Sequence, residues 1–173
     1  MRNRESLSNN RSEKKAKIIA AAALAVFVIV AAVVFFYCRS GWFTLRNADT
    51  GELYQRFLVH DGEGFSVGFI HSVNKSPLTD FYEFREHGIY VVKTVYYGFG
   101  AGVQTQLEEG QHLEYGDDGS MIITGFDKKI PDLIYIVGTV SDHTLVLDDG
   151  EEISLRDLCG KGAKVRFSYE PLF

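Results

Sequence analysis

Phe65-Ser66-Val67-Gly68-Phe69-Ile70-His71-Ser72-Val73 reads as a β-strand. In an extended chain successive side chains point to opposite faces, so Phe65, Val67, Phe69, His71 and Val73 share one side. Ser66, Gly68, Ile70 and Ser72 take the other. A helix would need its apolar residues three and four apart, and this stretch does not supply that. The same short alternation extends in both directions. Upstream it covers Trp42–Asn47 and Leu53–Val59, joined at Asp49-Thr50-Gly51. Downstream, after a turn at Asn74-Lys75-Ser76-Pro77, it covers Phe81–Glu86, Ile89–Tyr97, Met121–Phe126, Leu133–Val140, His143–Leu147, Glu151–Leu155 and Lys164–Tyr169. Gly and Asp-Gly turns separate these runs. The spacing predicts an all-β, antiparallel sandwich or barrel of about nine to ten strands. One helical turn is expected at Ser154–Cys159, capped by Ser154 and ended by Gly160.

The N-terminus has a different character. Ile18–Tyr37 is uncharged throughout. At about 1.5 Å per residue, a helix of that length crosses the roughly 30 Å hydrocarbon core of a bilayer. The chain therefore divides into a basic cytoplasmic tail without fixed structure (1–17), a transmembrane anchor (18–38) and an extracytoplasmic β domain (39–173). Ahead of the run stand six basic and two acidic residues; after it stand twelve basic and twenty-one acidic, formal charges of +4 and −9. Positive charge beside a span stays on the cytoplasmic side, which sets this orientation. A cleavable signal peptide is the competing reading. Its apolar core is usually about 7–15 residues and ends in small residues. Here the run is longer and ends in Phe35-Phe36-Tyr37.

Composition narrows the function. Cys38 and Cys159 are too few for a disulfide framework and too few for a structural zinc site without several histidines. An acidic outer domain lacks the clustered Lys and Arg that bind phosphate, so no nucleic-acid partner is expected. No cofactor or metal is called for.

Three features carry candidate chemistry. If the hairpin folds about Pro77, His71 and Glu83 are cross-strand neighbours. A carboxylate beside an imidazole then serves a general base, a metal ligand or a binding contact, or it closes a sheet end. Gly98, Gly100 and Gly102, in Gly98-Phe99-Gly100-Ala101-Gly102, permit a nest of amides for an anion; they equally suit a bulge or corner. Asp117-Asp118-Gly119 and Asp148-Asp149-Gly150 are acidic turns without the spacing of a calcium loop. Ser72 adjoins His71 and so faces away from it, which argues against a Ser–His nucleophile. His60, His87, His112 and His143 fall at turns, and most of them are expected to face solvent.

Phe69-Ile70-His71-Ser72-Val73, Pro77, Glu83 and Gly98-Phe99-Gly100-Ala101-Gly102 resemble the family of domains of unknown function numbered 1850, over roughly Trp42–Glu170. Where that family often reads Glu-Lys ahead of the proline, this chain has Asn74-Lys75-Ser76. The resemblance implies association with TAXI-type TRAP transporters, which pair a soluble solute receptor with a membrane permease. It implies no enzymatic activity. His71, Ser72, Glu83, Gly100 and Gly102 match its pattern, and with Gly98 they form the expected binding set. The resulting expectation is a non-enzymatic, membrane-anchored accessory protein contacting that receptor or permease. The alternative is an extracytoplasmic binding module for a small anionic solute. A third reading, hydrolysis with His71 and Glu83 as acid and base, needs those two groups within hydrogen-bond reach.

Overall fold

The computed structural model describes the backbone of residues 2–72, 75–98 and 106–172, and side chains from residue 14 onward. Helix α1 spans Arg2–Cys38. Within it Lys14–Cys38 is long and apolar enough to cross a membrane. The helix starts well before Ile18, in the tail that the sequence reads as lacking structure. Lengthening an existing helix adds one hydrogen bond per residue fixed, without a second nucleation step. The tail is rich in Arg, Lys and Glu, and no Gly or Pro interrupts it.

Arg39–Leu172 forms a separate compact unit. Its strands are β1 (Ser40–Asn47), β2 (Leu53–His60), β3 (Gly64–Ile70), β4 (Pro77–Arg85), β5 (Gly88–Tyr96), β6 (His112–Tyr115), β7 (Met121–Lys129), β8 (Leu133–Ile136), β9 (His143–Leu147), β10 (Glu152–Ser154) and β11 (Lys164–Pro171). A short helix, α2 (Leu155–Cys159), follows β10, with the Ser154 side chain accepting from the Asp157 N–H. All pairings are antiparallel. One sheet runs β2-β1-β11-β8 and the other β10-β9-β3-β4-β5-β7-β6. Among the described residues no strand pairing joins the two sheets, so the domain is a sandwich and not a closed barrel.

Alternation fixes which residues meet between the sheets. Phe43 on β1 and Phe167 on β11 face Phe65 on β3 and Phe84 on β4. Ring centroids lie 4.5 Å apart for Phe43–Phe65, 5.0 Å for Phe43–Phe84 and 5.6 Å for Phe43–Phe167. Val67, Leu145, Val137, Leu155 and Val165 are among the other residues of this core. Leu78, Tyr96, Met121 and Ile123 form a second cluster, with Phe69 packed against it.

The expected strands are present, with shifted ends, and β6 is added. Only four residues long, β6 pairs with β7 alone at the sheet edge, too short for alternation to reveal it. β4 begins at Pro77, which the sequence reads as a turn residue. Proline is tolerated at the first position of a strand, where no amide is required.

Candidate functional site

The β3–β4 hairpin closes tightly. The His71 N–H donates to the Ser76 carbonyl and the Lys75 N–H to the His71 carbonyl, each at 2.9 Å. Lys75 takes φ of 55°, the left-handed region that glycine or asparagine usually fills. The register pairs Ile70 with Pro77 and Gly64 with Glu83. His71 and Glu83 are therefore not cross-strand neighbours. Glu83 sits opposite a residue seven positions before His71, about 23 Å away along the strand at 3.3 Å per residue. The hairpin turns ahead of Pro77 rather than around it. That distance rules out the acid–base pair. Glu83 instead lines a cleft on the outer face of the larger sheet, with Lys93 and Asp148.

His71 and Ser72 line a different cleft, of about 440 Å³, between this hairpin turn and the β8–β9 connection. Phe69, Lys75, Ile136 and His143 are among its walls. The Ser141 hydroxyl donates to the Ile70 carbonyl at 3.2 Å and ties the two segments together. Among the described lining residues there is no Asp or Glu. Two other clefts carry Glu83 and Asp148, or Glu63, Asp148, Asp149 and Glu151.

His143 is the residue sequence reasoning misplaced. It is only 8% exposed, not at a solvent-facing turn. The signal was present: His143, Leu145 and Leu147 alternate, so the imidazole lies in the inward phase of β9. It pairs with Phe69 across the strands and stacks on that ring, centroids 4.6 Å apart. Its Nδ1 accepts the Gly138 N–H at 3.1 Å, which places the neutral ring's proton on Nε2. Burial, and then the nearby Arg156 charge, hold its pKa below the ordinary value against the opposing pull of Asp142. Asp142 is the nearest chain neighbour able to add negative charge, and its carboxylate is taken up elsewhere. It accepts the Ser154 hydroxyl, the Arg156 N–H and the His143 N–H.

Gly138 sets this wall. A methyl group there would overlap the Ser141 backbone carbonyl, which cannot swing away as a side chain can. Gly138→Ala is expected to destabilise the domain by about 2 kcal/mol, within the range for overpacking. Urea unfolding followed by Trp42 fluorescence checks it.

Behind the cleft lies a buried polar chain that the sequence reading also passed over. Tyr135 on β8 packs edge-on to both Phe69 and His143. Its hydroxyl donates to Asp80 Oδ2 at 2.9 Å, so it accepts from Tyr82 at 2.6 Å. Thr94 donates to Asp80 Oδ1 at 2.8 Å. Leu78, Asp80, Tyr82 and Phe84 alternate, which places the carboxyl in the apolar phase of β4.

Of the expected glycine set, Gly98 comes to the same end of the sandwich. A Cβ on it would lie 3.4 Å from Ser76 Oγ, in the hairpin turn. Gly100 and Gly102 lie outside the described residues, as do Val73 and Asn74. The Asp117-Asp118-Gly119 turn joins β6 to β7, where Ser120 and Tyr97 bond to Asp118 and hold its carboxyl at about 2. Among the described residues, no three His, Cys, Asp or Glu side chains gather to hold a metal ion. Both cysteines are free thiols.

These features define a two-sheet β domain following a helix of membrane-spanning length, with an acid-poor cleft at one end. The chain belongs to the family described as Domain of unknown function (DUF1850), whose model matches residues 65–155. That match is narrower than Trp42–Glu170, yet it contains every residue lining the cleft. Neither a search of curated proteins nor one of solved structures finds a match.

Proposed function

We propose that this chain is a non-enzymatic accessory protein of a TAXI-type TRAP transport system. Helix α1 anchors it with the N-terminus in the cytoplasm. The β domain stands outside and contacts the solute receptor or the permease. The transport link rests on the family resemblance. The orientation rests on the +4 and −9 charges flanking the apolar run.

The observation that carries the contact is the rim of the His71–Ser72 cleft. Ile70, Ile136 and Val140 stand there 42%, 63% and 90% exposed. A cluster of large apolar side chains left in water around a concave surface is what a protein contact would cover. Covering one such side chain is worth about 1.5–3 kcal/mol. Affinity purification of the tagged full chain from native membranes is expected to recover receptor or permease. Replacing Ile136 and Val140 together by Asp, at solvent-facing positions, is expected to reduce that recovery at least about tenfold, since about 1.4 kcal/mol is a factor of ten. Recovery of no transport component would defeat the reading.

A further inference from the structure

We infer that the cleft between the β3–β4 turn and the β8–β9 connection binds the carboxylate of a small ligand with an apolar body. This goes beyond the partner reading and does not depend on it.

Charge favours an anion in this cleft. The β domain carries a formal charge of −9, and two other clefts on it are lined by carboxylates. This cleft has none among its described lining residues. Lys75, His71, Ser72 and His143 line it instead. Behind the wall the Arg156 guanidinium, its Nη2 donating to the Gly138 carbonyl at 3.3 Å, offsets the nearby Asp142 carboxylate. An anion would meet no repulsion from the lining in a domain that otherwise repels it.

A fixed donor stands in the cleft wall. His143 is buried, stacked on Phe69 and bonded through Nδ1 to the Gly138 amide. With Nδ1 occupied as an acceptor, Nε2–H is the group left for a ligand. The ring is held by packing and by one backbone bond, so it needs little reordering when a ligand arrives. Lys75 supplies the mobile charge at the mouth. Its left-handed backbone is a conformation a lysine adopts only at some cost, and such outliers gather at ligand sites.

Shape and polarity suit a small amphipathic ligand. A volume of about 440 Å³ lies within the roughly 300–1,000 Å³ common for small-molecule sites. Phe69 and Ile136 give it apolar walls beside the donors. A carboxylate at Lys75, Ser72 and His143 would leave its hydrocarbon against Phe69 and Ile136. Two sources share this chemistry: a free organic acid and the C-terminal end of a peptide.

Calorimetric titration of the detergent-solubilised full chain tests the inference. The probes are 4-methylpentanoate, its amide, and an acetylated Leu-Leu peptide with a free C-terminus. At least one of the two carboxylates is expected to bind, and the amide to bind at least about tenfold more weakly, because charge-assisted hydrogen bonds are worth about 1.5–3 kcal/mol. Whichever carboxylate binds more tightly identifies the source. Lys75→Gly keeps the backbone in a conformation glycine prefers, so it is expected to melt like the parent while losing about tenfold in carboxylate affinity. Equal binding of acid and amide, full affinity in Lys75→Gly, or no heat from either carboxylate would overturn the inference. None of these results would alter recovery of a transport component in the membrane purification, so the two claims fail separately.

Discussion

Phe43→Ala is expected to remove about 3–5 kcal/mol of stability, the cost typical of truncating a fully buried aromatic ring. Phe43 has no exposed surface and stands where the two sheets meet. Its ring is stacked on Phe65 and also packs against Phe84, Phe167 and Phe57. No neighbour can collapse into the space without leaving its own partners, because each ring is held by several others. A domain of this kind has only about 5–15 kcal/mol in total, so the loss is a large fraction of it. The melting point is expected to fall by about 10–20 °C, taking a few degrees per kcal/mol at this chain length. Trp42, the next residue, is the internal control. It points to the other face of β1, half-exposed, with the Arg56 guanidinium 4.6 Å above its ring. Trp42→Phe is expected to cost about 1 kcal/mol or less, as an exposed cation–π contact implies. Near-ultraviolet dichroism of the full chain distinguishes the two, since the tyrosines report in both variants. A Phe43→Ala domain melting within a degree or two of the parent would mean that the ring cluster does not hold the sheets together.

That aromatic core was legible from sequence because burial on one face imposes a period of two. Phe65, Val67 and Phe69 announce β3 without any knowledge of their partners, and His143–Leu147 is a strand at the expected bounds. Register is less local. Pro77 reads as the centre of a turn, but the hairpin closes through Ser76 and Lys75, with the lysine in a left-handed conformation that its side chain does not advertise. Moving the turn carried Glu83 away from His71 and removed one member of the expected site, while His71 and Ser72 stayed at the cleft. His143 in the cleft wall and Asp80 behind it were missed for one reason. A polar residue in an apolar phase is interpretable only once its partner is known, and the partners come from other strands. Phe69 reaches His143 from β3, and Tyr135 reaches Asp80 across 55 residues of chain. The start of α1 was obscured for the opposite reason, since its tail has helix-forming residues but no tertiary face to predict it.

Tyr135→Phe is expected to cost about 2–4 kcal/mol, although it removes one oxygen and leaves the ring in place. The hydroxyl is the middle of a chain: it donates to Asp80 and accepts from Tyr82. Its loss strands two largely buried groups, and an unsatisfied buried polar group costs about 1–3 kcal/mol. The effect depends on pH through Asp80. Burial raises the Asp80 pKa above 3.8, outweighing the lowering effect of the Thr94 and Tyr135 bonds. The tyrosines keep their protons, because burial and then the Asp80 charge raise the pKa of each. The fold thus holds the Asp80 proton more tightly than the unfolded chain does. This contribution is fully present below the unfolded value of 3.8 and is lost as pH rises through the raised folded value. Asp80→Asn removes the titration and keeps one oxygen to accept from Thr94, while its amide NH2 turns the Tyr135 hydroxyl into an acceptor that donates on to Tyr82. Relative to the parent, Asp80→Asn should therefore gain stability as pH climbs from about 4 to 8, with the slope set by the difference in bound protons. In Tyr135→Phe the carboxylate loses a donor, so its pKa should move further up and the decline with pH should steepen. Urea unfolding of the three full-length chains across that range, followed by Trp42 fluorescence, gives the comparison. Parallel pH profiles for the parent and Asp80→Asn would show that the carboxyl titrates as it does in the unfolded chain, and a Tyr135→Phe loss below about 1 kcal/mol would show that water already serves both of its partners.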